Sequence, residues 1–241
     1  RDVLSEKDIE FLISIIGDSK LIFIDEGQKV ENVGQTLKLL IDHYKDKNQI
    51  IVTGSSSINL LYNTQEALTG RKIVYNLYPL SVEEMFTGND KLKILKELEI
   101  LLIFGSYPEV ITSKTIEDKR VILQELCSSY LYKDIFEFQQ VKNSSILNNL
   151  LKALALQIGN EVSYNELSSL IGIDKKTIER YVDLLEKNFV VFRLPPYTKN
   201  KRREISKLRK IYFYDVGIRN TIINNFNFLD SRNDVGALWE N

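Results

Sequence analysis

The stretch that most limits what this chain can fold into is Leu21-Ile-Phe-Ile-Asp-Glu-Gly-Gln28. Four bulky apolar residues run directly into two adjacent carboxylates, Asp25 and Glu26. A short continuous apolar run predicts a strand buried on both faces, the kind found in parallel sheets. The C-terminal ends of such strands face the ligand crevice, so both carboxylates are expected there.

The flanking pattern agrees with a parallel sheet. Ser5-Glu6-Lys7-Asp8 reads as a helix N-terminus with Ser5 as its hydroxyl cap. Ile9, Leu12, Ile13 and Ile16 follow at helical spacing until Gly17. Leu37, Leu40, Ile41 and Tyr44 outline an amphipathic helix, and Ile50-Ile51-Val52-Thr53 a second buried strand closed by Gly54. Ile58 to Tyr62 reads as helix, and Ile73, Tyr75 and Leu77 alternate as a third strand. Helix and strand in strict alternation specify an α/β layer. After Pro79 the rhythm changes. Ser81-Val82-Glu83-Glu84 is a capping signature, and helix is expected almost to Val141, interrupted at Gly105 and Pro108. A further helix is expected over about Ile146 to Ile158.

The 241 residues suffice for one large domain or two smaller ones, and 44% hydrophobic content supplies a core. Net charge is -1, which excludes a uniformly basic surface and leaves room for a local basic patch. One cysteine, Cys127, excludes a disulfide framework and fits a reducing compartment, so a cytoplasmic location is expected. With one histidine, His43, a His/Cys zinc site is excluded too. The longest apolar run, Ile100 to Phe104, is far too short to span a bilayer, and no membrane partner is expected.

An apolar strand closing on Asp-Glu is what a Walker B element needs. The Asp holds Mg²⁺, and the next carboxylate activates the water that attacks a γ-phosphate. A helix start or a turn, where acidic residues are common, gives the same pattern. The second strand ends in Thr53-Gly54-Ser55-Ser56-Ser57, where a hydroxyl could bond that water, or simply cap a helix. In Thr69-Gly70-Arg71, the arginine could neutralise phosphate charge, or merely be solvated. The phosphate loop Gly-x-x-x-x-Gly-Lys-Ser/Thr is missing: none of the eleven glycines precedes a lysine.

Several phrases together resemble the prokaryotic AAA-type ATPases that carry a C-terminal winged helix and a restriction-endonuclease-like tail of unknown function. These are Leu21 to Gln28, Ile51 to Ser57, Leu68-Thr-Gly-Arg71 and Leu77-Tyr-Pro-Leu-Ser81. They continue with Phe104-Gly-Ser-Tyr-Pro-Glu109, Tyr130 to Ile135, Gly172 to Thr177, Tyr214-Asp-Val-Gly-Ile-Arg219 and Gly236 to Asn241. The resemblance implies ATP and Mg²⁺ as cofactors, with Asp25 as the metal ligand and Glu26 as the catalytic carboxylate. Thr53 or Ser55 would be the sensor, and Arg71 matches a family arginine. Glu240 would match the first acidic residue of the nuclease-like core. The chain begins with Arg1 and stops after an apolar stretch. The expectation is a piece of a longer protein, with the phosphate loop before Arg1, the rest of the nuclease-like domain after Asn241, and little ATP hydrolysis by this piece alone. Two residues depart from the family pattern: Gly27 replaces a bulky aliphatic residue, which should loosen the turn, and Gly105-Ser106 replaces Gly-Gly.

The expected fold is therefore a truncated P-loop NTPase parallel sheet with helices, a helical region and a winged helix-turn-helix. The boundaries read as 1–80 for the NTPase core, 81–141 for a helical lid, 142–214 for the winged helix and 215–241 for the start of the nuclease-like domain. The winged helix also rests on pattern alone. A short helix from Val162 to Leu170 is followed by a turn at Gly172 and a helix over about Lys175 to Lys187. Strands are expected at Val190 to Leu194 and Ile211 to Tyr214. Leu167, Leu170, Ile178, Leu185 and Phe189 form its expected core. In a form that binds double-stranded DNA, Lys175, Lys176, Thr177 and Arg180 would enter the major groove. The wing, with Lys201, Arg202 and Arg203 among the seven basic residues of Lys199 to Lys210, would follow phosphates. Against this, Glu179, Asp183 and Glu186 lie on the same helix, and such domains often pack on protein instead. Tyr130 to Lys133 and Phe136 to Phe138 could stack on bases or fill a core. A homo-oligomer or protein partner stays open. The alternative function is a non-catalytic winged-helix regulator or adaptor on a decayed ATPase scaffold.

Overall fold

The computed structural model describes residues 4, 8–54, 64, 67–86, 91–128, 144–197 and 208–241. The chain divides into two compact units, residues 1–76 and 77–241.

In the first unit, helix α1 (Ile9–Ile16) is capped by Asp8, whose carboxylate accepts from the N–H groups of Glu10 and Phe11 at 2.9 and 3.3 Å. Gly17 closes it, taking φ 59 and donating to the Ile13 carbonyl. The expected cap, Ser5, lies outside the described residues. Strand β1 (Leu21–Ile24) pairs in parallel with β2 (Gln49–Val52), placing Ile22 opposite Ile50 and Ile24 opposite Val52. Helix α2 (Val33–Tyr44) makes the crossover that two parallel strands require. Leu12 of α1 meets Leu40 and Tyr44 of α2, with Ile22 and Ile50 packed beneath. A second cluster gathers Ile24, Val30, Val33, Leu37 and Leu68.

This packing covers one sheet face only. Leu21, Ile51 and Phe23 stand on the other, and Phe23 is 60% exposed. The expectation of a strand buried on both faces is therefore corrected for the described residues. The expected third strand also does not form. Ile73 to Leu77 takes no regular secondary structure, and its apolar side chains are exposed, Leu77 to 92%. Alternation supplies a strand's side-chain pattern, but the strand exists only through hydrogen bonds to a neighbour. None of the described residues provides one. Residues 55–63, including the expected helix at Ile58 to Tyr62, are outside the described set.

In the second unit, α3 (Val82–Met85) carries the expected capping box. The Glu84 N–H donates to the Ser81 hydroxyl, and the Ser81 N–H to the Glu84 carboxylate. Helices α4 (Lys91–Phe104), α5 (Pro108–Thr112) and α6 (Ile116–Leu126) follow. Gly105 ends α4 with φ 73, and Pro108 opens α5, as expected. Residues 129–143, with their aromatic and basic alternation, lie outside the described set. Next come α7 (Ser144–Leu156), β3 (Glu161–Val162), α8 (Tyr164–Ile171) and α9 (Lys175–Lys187). The chain closes with β4 (Val191–Leu194), β5 (Arg209–Phe213), α10 (Val216–Ile222) and α11 (Val235–Glu240). The three strands form an antiparallel sheet in the order β3-β5-β4.

Ser163 caps α8 and Asp174 caps α9, with Gly172 in the left-handed conformation between them. Leu167, Ile178, Val182 and Leu185 are fully buried here. Leu170 is not, at 67% exposure, which corrects the expected core. The inward stripe of α8 runs through Tyr164, Leu167, Ser168 and Ile171, and position 170 falls outside it. No helix of the described residues is long and apolar enough to cross a membrane.

Helix α10 packs against α4, α6 and α7. Asp215, its cap, accepts from the Ser106 N–H at 2.7 Å and the Ile218 N–H at 3.0 Å. The approach is close enough to need glycine twice. A Cβ on Gly105 would lie 2.1 Å from the Asp215 carboxylate, and one on Gly217 would lie 2.1 Å from the Phe104 carbonyl.

Candidate functional site

The candidate site is built by continuing the β1–β2 ladder one step past the strands. The Thr53 N–H donates to the Ile24 carbonyl, and the Gly27 N–H donates back to the Thr53 carbonyl, both at 2.9 Å. These bonds fix the two strand tips against each other. The Thr53 hydroxyl then reaches across to donate to Asp25 Oδ1 at 2.5 Å. Glu26 turns the chain, with φ 53 and ψ 42. This left-handed conformation costs a residue with a Cβ about 1–2 kcal/mol. A single 3₁₀ turn, Gly27–Lys29, follows, and its last residues fold back on Glu26. Gln28 Nε2 donates to Glu26 Oε2 at 2.8 Å, and Lys29 Nζ lies 3.0 Å from the same oxygen.

Gly27 is buried and its N–H is tied to Thr53, and the unusual backbone belongs to Glu26. Sequence reasoning did not find Gln28 and Lys29 as partners of Glu26. The signal was their spacing of two and three residues, which faces Glu26 only once that left-handed turn is known. The structure thus brings Asp25 and Thr53 into contact, with Glu26 next along the chain and its carboxylate on Gln28 and Lys29. Two carboxylates and a hydroxyl at one rim can hold a hydrated divalent cation and accept a proton from water. Among the described residues no three His, Cys, Asp or Glu side chains converge as a metal cage. Ser55 lies outside the described residues.

Arg71 is placed elsewhere. Its guanidinium pairs with Asp42, in the last turn of α2. That turn leads into Gln49 at the start of β2, the sheet end opposite Asp25 and Thr53. The only cysteine, Cys127, is buried, and burial pushes its thiol up to about 12, which leaves no thiolate for chemistry near neutral pH.

In the second unit, Lys175, Lys176 and Arg180 are exposed on α9. Thr177 serves the cap, its hydroxyl donating to Asp174 at 2.6 Å. Asp183 and Glu186 both bind Arg193 of β4, the former at 2.6 Å. Glu179 faces Lys175 at 3.9 Å. Lys201, Arg202 and Arg203 lie outside the described residues. Glu240 pairs with Lys210 and accepts from the Tyr212 hydroxyl at 2.8 Å, which holds its carboxyl below the usual range.

Residues 95–228, more than half of the chain, match the family model described as "Domain of unknown function (DUF8612)". The chain belongs to this DUF8612 family. In this DUF8612 member, residues 2–86 match a second model, described as "AAA domain". That segment holds Asp25, Glu26, Thr53 and Arg71, and an AAA domain is of the P-loop ATPase type, which binds nucleotide and typically Mg²⁺. Uncharacterized proteins of Mycobacterium bovis and Mycobacterium tuberculosis are each 25% identical over 231 residues, 95% of this chain and 51% of their own length. An uncharacterized protein of Methanocaldococcus jannaschii is 26% identical over 210 residues, 80% of this chain and 47% of its own. The chain spans about half the length of the curated relatives it matches.

Proposed function

We propose that this DUF8612 chain carries the carboxylate half of the nucleotide site of a cytoplasmic AAA-type ATPase. One observation carries the reading: Thr53 and Asp25 meet across adjacent parallel strand tips, with Glu26 the next residue along the chain, inside the AAA-matching segment. Leu21 to Glu26 then serves as the Walker B element. The donor set fits the metal side of such a site, two hard oxygen ligands beside a hydroxyl. It does not fit the phosphate side, since no Gly-Lys pair exists in the sequence. When bound, ATP with Mg²⁺ would supply the scissile phosphoanhydride and neutralise its charge. Asp25 would hold the metal's hydration shell, with the Thr53 hydroxyl fixing its orientation. Glu26 would take the proton of the attacking water. Residues 81–141 would form the lid region, and Arg71, engaged by Asp42, takes no part in this arrangement.

The test uses the longest natural reading frame that contains this chain. Glu26→Gln should keep ATP binding and lose most hydrolysis, roughly 10²-fold or more. A variant as fast as the wild type would sink the assignment.

A second reading is favoured by a separate observation. The order α8, glycine turn, α9 and the β4–β5 hairpin supports a winged helix over 142–214. Its second helix would meet double-stranded DNA through Lys175, Lys176, Thr177 and Arg180. Two of the three acidic residues that should repel DNA are taken up by Arg193, which binds Asp183 and Glu186, while Glu179 faces Lys175 at 3.9 Å. Wing residues Lys201, Arg202 and Arg203 would add phosphate contacts. Duplex binding should weaken steeply with salt, and Lys175→Ala with Lys176→Ala should lower the salt slope by up to about 2. Binding that ignores both salt and these lysines would remove this reading. Residues 215–241 would begin a nuclease-like domain, with Glu240 matching the first acidic residue of the nuclease-like core.

A further inference from the structure

Glu26 is held differently from the carboxylate beside it. Asp25 is oriented by a neighbouring strand, through the Thr53 hydroxyl. Glu26 is oriented by its own turn, and both restraints fall on one atom. Gln28 Nε2 and Lys29 Nζ reach Oε2 at 2.8 and 3.0 Å. Among the described residues, no donor reaches Oε1. The side chain stays 35% exposed. The backbone leaves this carboxylate little freedom, because its left-handed φ is set between the Thr53 N–H bond to Ile24 and the Gly27 N–H bond to Thr53.

We infer that Gln28 and Lys29 are positioning residues that anchor Oε2 of Glu26 and leave Oε1 as the proton acceptor. This rests on the ATPase reading above and assigns a division of labour within it. In the reaction, an O–H bond of water breaks as its proton passes to Oε1. The water oxygen uses the freed electron pair to bond to the terminal phosphorus. The bridging P–O bond breaks, and its electrons leave on the diphosphate oxygen. A carboxylate whose two oxygens exchange roles by rotation would meet the water in the wrong geometry much of the time. Fixing one oxygen removes that loss, and sub-ångström placement is where large rate factors arise. Neither Gln28 nor Lys29 needs to touch the nucleotide for this, so their removal should spare binding.

Two measurements on the full reading-frame product test it. In steady-state ATP hydrolysis, Gln28→Ala with Lys29→Ala should lower kcat roughly tenfold with KM for ATP within about twofold. Lys29→Arg, which keeps a cationic donor, should retain most of kcat. The second readout needs no turnover. In nucleotide-free protein, water-soluble carbodiimide labelling of Glu26, followed by mass spectrometry, should be several-fold faster in the double variant. Glu26→Gln separates the two levels of failure. If Glu26→Gln hydrolyses ATP as fast as wild type, the ATPase assignment falls and this inference falls with it. If Glu26→Gln is inactive but the double variant keeps wild-type kcat or wild-type labelling, the positioning role alone is overturned.

Discussion

Each unit of this chain holds a cluster of charged and polar residues, and the two are built on opposite plans. In the second unit, Arg219 is 1% exposed. Its Nε donates to the Ala155 carbonyl at 2.7 Å, and one terminal nitrogen reaches Asp234 at 2.5 Å. Arg232 donates twice more to Asp234 and once each to the Asn225 carbonyl and the Asn220 side chain. Asn220 closes the network on the Leu102 and Ile103 carbonyls. In the first unit, Asp25 is exposed, Glu26 is half-buried in a strained backbone, and its Oε1 meets no donor among the described residues. The difference separates two uses of charge. The buried network commits its hydrogen-bonding capacity to holding α4, α7 and α10 and the chain before α11. The rim at the strand tips leaves capacity uncommitted, which is what a ligand site requires.

The comparison breaks most sharply at Asp234. Arg232 first, and Arg219 after it, hold its carboxyl at about 2, well below the usual range. Asp234→Ala leaves two buried guanidinium groups without their counter-charge, which should cost about 3–5 kcal/mol in urea unfolding. Asp25→Asn, at the exposed rim, should change stability by no more than about 0.5 kcal/mol. If both substitutions cost alike, the two clusters do not differ in kind.

A smaller effect sharpens the same contrast through pH. Burial raises the Asp215 carboxyl to about 6, against the N–H bonds from Ser106, Ile218 and Gly217 that pull it down. A raised folded value means that the folded chain holds this proton more tightly than the unfolded chain. The stability from this group is therefore complete below about pH 4 and is lost as pH rises through about 6. Asp234, with its lowered value, contributes constantly across that window and loses its contribution only toward pH 2. Between pH 4.5 and 6.5 the stability of Asp215→Asn should gain on wild type by roughly 1–2 kcal/mol. The midpoints of parallel urea titrations measure this, and parallel curves would deny Asp215 its buried charge.

How much of this was legible in the sequence follows from the range of each interaction. Local signals are legible. The capping box at Ser81 and Glu84, the Gly172 turn and the extent of α9 all lie within four residues of the chemistry that fixes them. Non-local ones are not. The Ser106 to Asp215 bond spans 109 positions, and the need for glycine at both Gly105 and Gly217 follows only from that distant contact. Ile73 to Leu77 had a strand's alternation, but alternation says nothing about which strand would lie beside it. At the site, Asp25 and Thr53 could be paired by strand order. The turn of Glu26 onto Gln28 and Lys29 could not, because a glutamate followed by glycine gives no reason to place the left-handed residue at the glutamate.

That misplaced expectation leads to the smallest and most diagnostic change. If Glu26 is kept for chemistry, the fold should be indifferent to it or better without it. Glycine adopts φ 53 without the Cβ penalty, which returns about 1–2 kcal/mol. Its greater freedom in the unfolded chain takes back about 0.5–1 kcal/mol. The bonds to Gln28 and Lys29 are partly exposed and contribute at most about 1 kcal/mol. Glu26→Gly should therefore unfold in urea within about 1 kcal/mol of wild type, in either direction, while a site carboxylate is lost. The same substitution in a residue that held the fold, as Asp234 does, would be expected to unfold it. A loss of 3 kcal/mol or more at Glu26 would place it with the buried network and remove the reason for reading its strained turn as a functional one.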